Sequence, residues 1–259
     1  MKIPPFYIII AVKFYHNKIT ERTFQMKKNA VLAILTLAVS CAFAAVPEPA
    51  ININFTGGDF AAIKDQSANN CKVAVGSKEK LSWVEENGEK ILSFSGDAKQ
   101  PRGVVLVFPP KTFKISNGFT LFFKIKTAAN HNQKARIQLC QYGYGADKIN
   151  GFSLFLFWKA FHCRYGADAK TTVATNAKAN LIKPDTWYDA VMTYNGKNIT
   201  LYLNGKVVKS APAVIPEVKN TFTIGATANR GGGYAFQGLV KNMKLYEKAL
   251  LPEEVIELK

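Results

Sequence analysis

The chain has 259 residues, 48% of them hydrophobic and 20% charged, and its 34 Lys and Arg against 18 Asp and Glu give a formal charge of +16. That composition excludes a largely disordered or collagen-like protein, and the length suffices to bury a core in one or two domains. Four cysteines are too few for a fold built on disulfides.

The first feature in chain order is an apolar run set apart from the fold. Residues 26–45 read MKKNAVLAILTLAVSCAFAA. Lys27 and Lys28 give a positive start, residues 30–39 form an apolar run too short to span a membrane, and Ala42-Phe43-Ala44 offers the small-x-small pattern that a signal peptidase cuts after. The expectation is a signal peptide over 26–44 and a mature protein that is secreted, periplasmic or in the cell envelope, with no integral membrane span. Residues 1–25 lie upstream of this signal, with a second apolar patch at 6–12. Translation from Met26 is the simplest account of them; a long amino-terminal region or a retained anchor is the other. Cys41 follows Leu37-Ala38-Val39-Ser40, a loose match to a lipoprotein attachment site. Only Ala38 stands where a larger apolar residue is expected, so lipidation is the second reading.

Residues 1–44 hold six bases and one acid, which leaves 28 bases against 17 acids, a net +11, on residues 45–259. That surplus attracts acidic partners over a range set by salt, such as an anionic polysaccharide or a negatively charged envelope; it also serves plain solubility. Three cysteines remain, Cys71, Cys140 and Cys163. An oxidising compartment permits one disulfide among them and leaves an odd thiol. Cys140 and Cys163 fall in strand-like segments and could pair, although spacing does not decide it. The absence of Cys-x-x-Cys argues against a zinc or redox site.

After Pro49 the chain turns into short strands. Asn-Gly occurs at 87–88, 117–118, 150–151, 195–196 and 204–205. This dipeptide tolerates the positive φ of a tight hairpin and signals one where alternating apolar residues flank it. Ile199, Leu201 and Leu203 alternate with polar neighbours before Asn204, and Ala190, Met192 and Tyr194 do so before Asn195. Further strands are expected at 51–55, 72–75, 91–95, 103–107, 119–126, 136–141, 152–157, 161–165, 222–225 and 239–246, and Trp83 sits in a polar-flanked strand. Helical periodicity is confined to the tail, where Pro252 suits a first helical turn and Glu253 and Glu254 suit its positive end. The expectation is one all-β domain over 45–259, two antiparallel sheets packed face to face with a short carboxy-terminal helical turn.

The segment WYDAVMTYNGKNITLYLNGKVV, residues 187–208, resembles the laminin-G-like members of the concanavalin A-like lectin/glucanase superfamily. FTIGA at 222–226 and GGGYAFQGLVKNMKLYEKALLPEEV at 231–255 resemble that family's closing strands and terminal turn. Ile53-Asn54-Phe55 with Asp65-Gln66-Ser67-Ala68-Asn69 resembles its opening strand and turn, and ILSFSGD (91–97) and GFTLFFKIKT (118–127) fit between. The resemblance spans roughly residues 50–257 and implies a jelly-roll sandwich; function does not follow from the fold. Trp187 is expected to pack in the core, because large aromatics in strands bury well. Many relatives bind a structural calcium with an Asp in the opening turn and another in a closing Gly-x-Ile-Asp-Glu strand. Asp65 matches the first, but Gly238-Leu239-Val240-Lys241-Asn242 puts Lys241 at the second. The expectation is no cofactor, with the Lys241 ammonium replacing the ion and pairing with Asp65.

Hydrolases of this superfamily carry paired carboxylates as Glu-x-Asp-x-Glu or Glu-x-Asp-x-x-Glu, because alternate residues on a strand face one cleft. No Glu here has an Asp two residues later. The chain also lacks a Gly-x-Ser-x-Gly elbow, a phosphate-binding loop and His-Glu-x-x-His. A hydrolase or lyase would need a site dispersed over distant loops, so the leading expectation is a non-catalytic carbohydrate-binding module, with an envelope or extracellular protein-interaction module as the alternative. Sugars are gripped by aromatic faces and planar hydrogen-bonding groups. The richest cluster of these is Tyr142, Tyr144, Trp158, Phe161, His162, Arg164 and Tyr165, with Arg136 and Arg230 able to contact an acidic group. Such a groove also suits single-stranded nucleic acid, which export argues against.

Overall fold

The computed structural model describes residues 45–95, 103–130, 136–143, 151–166, 172–173, 181–219, 221–226 and 234–258. The signal-peptide reading, Cys41, Tyr144 and Arg230 lie outside them. The chain divides into two compact units, Met1–Ala45 and Val46–Lys259, and the second carries the fold. No described helix is long and apolar enough to cross a membrane.

Fifteen strands follow one another among the described residues: β1 (Ile51–Asn54), β2 (Val73–Gly76), β3 (Leu81–Glu86), β4 (Glu89–Ser95), β5 (Val104–Val107), β6 (Phe119–Thr127), β7 (Ile137–Tyr142), β8 (Phe152–Phe157), β9 (Ala160–Tyr165), β10 (Thr172–Val173), β11 (Trp187–Tyr194), β12 (Asn198–Leu203), β13 (Lys206–Pro212), β14 (Phe222–Ile224) and β15 (Gln237–Tyr246). One helix, α1 (Pro252–Ile256), closes the chain. The strands form two sheets in which every pairing is antiparallel. The eight-stranded sheet runs β13–β12–β11–β6–β15–β4–β3, with β1 beside the second half of β15. The seven-stranded sheet runs β10–β9–β8–β7–β14–β5–β2. This is the pair of antiparallel sheets that the strand pattern implied, and the jelly-roll sandwich that the resemblance implied.

Three of the five Asn-Gly pairs close hairpins; Asn117 instead ends a single 3-10 turn before β6, and Asn150 lies outside the described residues. Asn87-Gly88 and Asn204-Gly205 both take positive φ, at 52° and 78° and at 50° and 74°, and close the β3–β4 and β12–β13 hairpins. Asn195 caps the β11–β12 turn, its Oδ1 accepting from the N–H groups of Lys197 and Asn198. The β8–β9 turn is different: Trp158 and Lys159 take φ of 50° and 60°, although neither residue type favours that region.

The inner faces of the two sheets meet in one core. Phe55, Phe119, Phe123, Phe152, Phe161 and Phe222 are all fully buried there. Phe119 stacks on Phe152 at 5.1 Å and Tyr142 on Phe222 at 4.4 Å. Cys140 and Cys163 both face this core as free thiols, and burial pushes both well above the ordinary thiol range. The disulfide considered between them does not form. Each is paired in register with Leu154 of β8, so they stand two strands apart, about 9–10 Å, beyond the reach of a disulfide. Cys71 is also free, its thiol raised to about 12 by burial and by Asp65.

A second, smaller core lies on the outer face of the eight-stranded sheet, where α1 and its flanks place Leu250, Val255 and Leu258 over Phe122, Val191 and Tyr202. Glu254 locks this cover, its carboxylate accepting from the Leu251 N–H at 2.7 Å and the Lys248 Nζ at 2.8 Å. Ion pairs hold another part of that face. Lys124 pairs with Asp189 at 3.0 Å, and Lys126 with Glu86 at 2.7 Å and Asp185 at 2.8 Å. Trp187 belongs to this outer surface, which corrects the expectation that it packs in the core: its Nε1 donates to Glu86 Oε1 at 2.9 Å and Lys126 Nζ sits 5.9 Å from its ring. In register with Lys126, Trp187 faces outward with it.

Candidate carbohydrate-binding face

The outer face of the seven-stranded sheet is built by strand alternation. In β8, Phe152, Leu154 and Leu156 enter the core, so Ser153, Phe155 and Phe157 turn outward. Register aligns Phe155 with Gln138 on one side and His162 on the other. The next row runs Arg164, Ser153, Gln141 and Thr223 across four strands. A bulge between Gln138 and Cys140 restores this alignment in β7.

Arg136 organises the face. Its guanidinium carbon lies 3.9 Å from the Phe155 ring centroid and 4.7 Å from that of Tyr234. One of its terminal nitrogens donates to Gln138 Oε1 and to Ser153 Oγ, each at 3.0 Å. The Gln138 amide is satisfied on its other side, donating to the carbonyls of Cys140 at 2.6 Å and Leu154 at 2.8 Å. Arg136 is thereby held by rings and hydrogen bonds together, a preorganised planar cation.

His162 stacks on Phe155 at 5.3 Å with the planes 10° apart, and its Nε2 donates to the Phe157 carbonyl at 3.0 Å. Burial pushes its pKa down; the Phe157 carbonyl works against that shift and the Arg136 charge adds to it, so the net shift is downward and the ring is neutral near pH 7. At the β8–β9 tip both Phe157 and Trp158 are exposed, Trp158 by 55%, with their rings edge to face at 6.0 Å. A large aromatic in a positive-φ turn, facing solvent, is held there against its own backbone preference.

Beside this network the Gln141 amide is buried, and neither its nitrogen nor its oxygen has a hydrogen-bond partner. Leaving such a group unmet costs about 1–3 kcal/mol. Among the described residues it is the polar side chain of this row, shared with Ser153 and Arg164, whose hydrogen bonds the fold leaves unmade.

The residues singled out from the sequence divide between the two sides of the sheet. Arg136, Trp158, His162 and Arg164 lie on this face or its rim. Phe161 and Tyr165 do not: both point into the core, and the Tyr165 hydroxyl donates to the Pro212 carbonyl at 2.7 Å. Tyr142 likewise packs inward, its hydroxyl donating to the Val218 carbonyl at 3.0 Å. It borders a separate cleft at the other end of β7, a cavity of about 1030 Å³. The residues missed were Gln138, Gln141, Ser153, Phe155, Phe157 and Tyr234. Alternation in Phe152–Phe157 carried the signal for three of them; the bulge in β7 hid the two glutamines.

The calcium expectation is corrected in its mechanism. Lys241 pairs with Glu89 at 2.5 Å, not with Asp65. It is the extra residue of a bulge in β15, between Val240 paired with Ile125 and Asn242 paired with Lys124. Asp65 is buried and accepts from the N–H groups of Asn52, Ser67 and Cys71 and from Ser67 Oγ, at 2.7–3.0 Å. Burial raises its pKa, but these bonds outweigh burial and the net shift is downward. Its charge is met by the opening turn itself. Among the described residues no group of three or more His, Cys, Asp or Glu is placed to hold a metal.

A family model described as the concanavalin A-like lectin/glucanases superfamily, of laminin G type, matches residues 101–256. The chain belongs to that superfamily. No curated protein matches it. Among solved structures it is similar to the binding domain of botulinum neurotoxin DC in complex with rat synaptotagmin II (14% identity, 81% of this chain and 51% of that one, TM-score 0.61). It is similar also to the binding domain of Paraclostridial Mosquitocidal Protein 1 (16%, 81% and 51%, TM-score 0.60). A third is the botulinum neurotoxin DC binding domain in complex with SialylT (14%, 81% and 50%, TM-score 0.58). The chain spans about half the length of these structures, and at such identities the likeness is one of fold.

Proposed function

We propose that this protein is an exported, non-catalytic, lectin-like module that binds carbohydrate on the outer face of its seven-stranded sheet. The observation that carries the reading is the pair of exposed rings, Tyr234 against the Arg136 guanidinium and Trp158 at the rim, with Phe155 and His162 buried and stacked beside that guanidinium to hold it. Flat rings take the C–H face of a pyranose, and guanidinium, amide and hydroxyl groups take its hydroxyls. The described side chains of this face are rings, guanidinium, amide and hydroxyl groups, a set suited to reversible recognition. Two of the similar structures are named for bound partners, one a protein and one SialylT, and both support a binding role over bond cleavage. Export rests on the signal-like residues 26–44.

A glycan array probed with the parent protein and with Trp158→Ala and Tyr234→Ala tests the reading. Glycan binding by the parent that weakens about fivefold or more in each variant is expected, from the loss of one stacking surface at a time. No glycan bound by the parent, with capture of an envelope protein instead, would replace the reading with that of a protein-interaction module. Release of shortened products from a polysaccharide would replace it with an enzyme.

A further inference from the structure

The cleft at the far end of β7 is separate from the face described above. Trp158 lies beyond Leu156, which pairs with Ile137 at the start of β7, whereas Tyr142 at the cleft ends that strand. Five residues of extended chain separate the two ends, about 17 Å.

The cleft has an apolar floor and a cationic rim. Phe113 and Tyr142, edge to face at 5.5 Å, close its base where the sandwich core reaches the surface. Pro109 and Pro110 form one wall, stiff because proline fixes its own backbone angle. Lys111, Lys114 and Lys219 stand exposed around it. The one carboxylate in the lining is Glu217, and the fold already uses it: its oxygens accept from the N–H of Ser116 at 2.5 Å and of Ile115 at 3.2 Å, capping the turn that leads into β6. None of the three ammonium groups forms an ion pair with a described carboxylate. A fourth, Lys72, lies 5.2 Å from the ring of Phe108, which also lines the cleft. The cavity's volume, about 1030 Å³, sits at the top of the small-molecule range of about 300–1,000 Å³, room for a chain segment rather than a lone ion.

We propose that this cleft is a second binding site, selective for a carboxylated or sulfated oligosaccharide segment. The ring faces lie against the floor and the Pro109–Pro110 wall, and the acidic groups meet Lys111, Lys114 and Lys219. The inference rests on the glycan-binding reading and adds a substrate class to it. Exposed lysines act as point charges in high dielectric, so each contributes little and the sum depends on salt.

The test is calorimetric titration of the full chain with three oligomers of equal length: an oligouronate, a sulfated oligosaccharide and a neutral glucan. It is run on the parent, on the triple variant Lys111→Gln, Lys114→Gln, Lys219→Gln, and on a charge-matched control, Lys64→Gln, Lys90→Gln, Lys206→Gln. Thermal melts confirm that each variant folds. The expected result is binding of one or both acidic oligomers, weakened about tenfold in the cleft variant, retained in the control, and falling with salt. The uronate and sulfate arms decide which acid the site prefers. No acidic oligomer bound, equal weakening in both variants, or a cleft variant that binds like the parent would each overturn the proposal. The outer-face reading is scored separately, by Trp158→Ala on neutral glycans, so either can fail alone.

Discussion

The two sheets expose outer faces of opposite character. On the eight-stranded sheet, helix α1 seals Phe122, Val191 and Tyr202, and the remaining charges pair off as Lys124–Asp189 and Lys126–Glu86. On the seven-stranded sheet, Arg136, Phe155 and His162 form a stacked polar network beside a Gln141 amide whose two polar atoms find no partner. Each face holds a buried polar group without a partner among the described residues, Asn242 Oδ1 on the first and the Gln141 amide on the second; what sets the second apart is the stacked Arg136 network with Tyr234 and Trp158 exposed beside it. On the proposed reading the architecture separates stability from binding by sheet, and an aromatic's surroundings follow from the side it joins. Trp187 and Trp158 show this directly: the first is tied to Glu86 in an ionic patch, the second is exposed at a hairpin tip.

The largest effect should come from opening the sealed face. Phe122→Ala removes a fully buried ring beneath α1 and should cost about 3 kcal/mol in urea unfolding while leaving glycan affinity unchanged. Equal loss of affinity would break the separation between the faces. The opposite pattern is expected at the binding face. Replacing Trp158-Lys159 by Asn-Gly supplies residues suited to the positive φ of that turn, so stability should rise by about 1 kcal/mol while glycan affinity falls. A gain in both would show that Trp158 is held there for another reason.

Acid should distinguish the faces as well. His162 has a folded pKa below its ordinary 6.5, so the unfolded chain binds the proton more readily and stability declines as pH falls below about 6.5. Glu254 has a folded pKa below its ordinary 4.5, held there by Lys248 and the Leu251 N–H; its contribution is complete above about 4.5 and is lost as pH falls through the folded value. His162→Phe should therefore flatten the stability profile in the upper window only, and Glu254→Gln in the lower one only, as read from urea midpoints against pH. The smallest effect is expected at Lys241, whose pairing with Glu89 is half-exposed; Lys241→Ala should shift stability by no more than about 0.5 kcal/mol.

The fold was legible because its signals are local. Asn87-Gly88 and Asn204-Gly205 specify their hairpins through backbone angle alone, and the β12 alternation of Ile199, Leu201 and Leu203 specifies an inward side. The site was half legible because a side chain's face depends on register, which local pattern does not fix. One bulged residue in β7 sets Gln141 outward and Tyr142 inward, so the tyrosine that looked like a sugar platform became core. The Trp158-Lys159 turn carried no Gly or Asn to announce it. Lys241 was read against Asp65 on the strength of the family pattern, yet the bulge in β15 sends it to Glu89.

The three tryptophans provide a direct test, because Trp158 marks the proposed binding face, Trp187 the opposite outer face, and Trp83 packs against Phe60 at the edge of the core. Their indole N–H resonances can be followed while a glycan selected on the array is titrated into the full chain. Movement of the Trp158 signal, with Trp187 and Trp83 unmoved, is the predicted result. Saturable glycan binding that leaves Trp158 still, or that moves Trp187 instead, would contradict it.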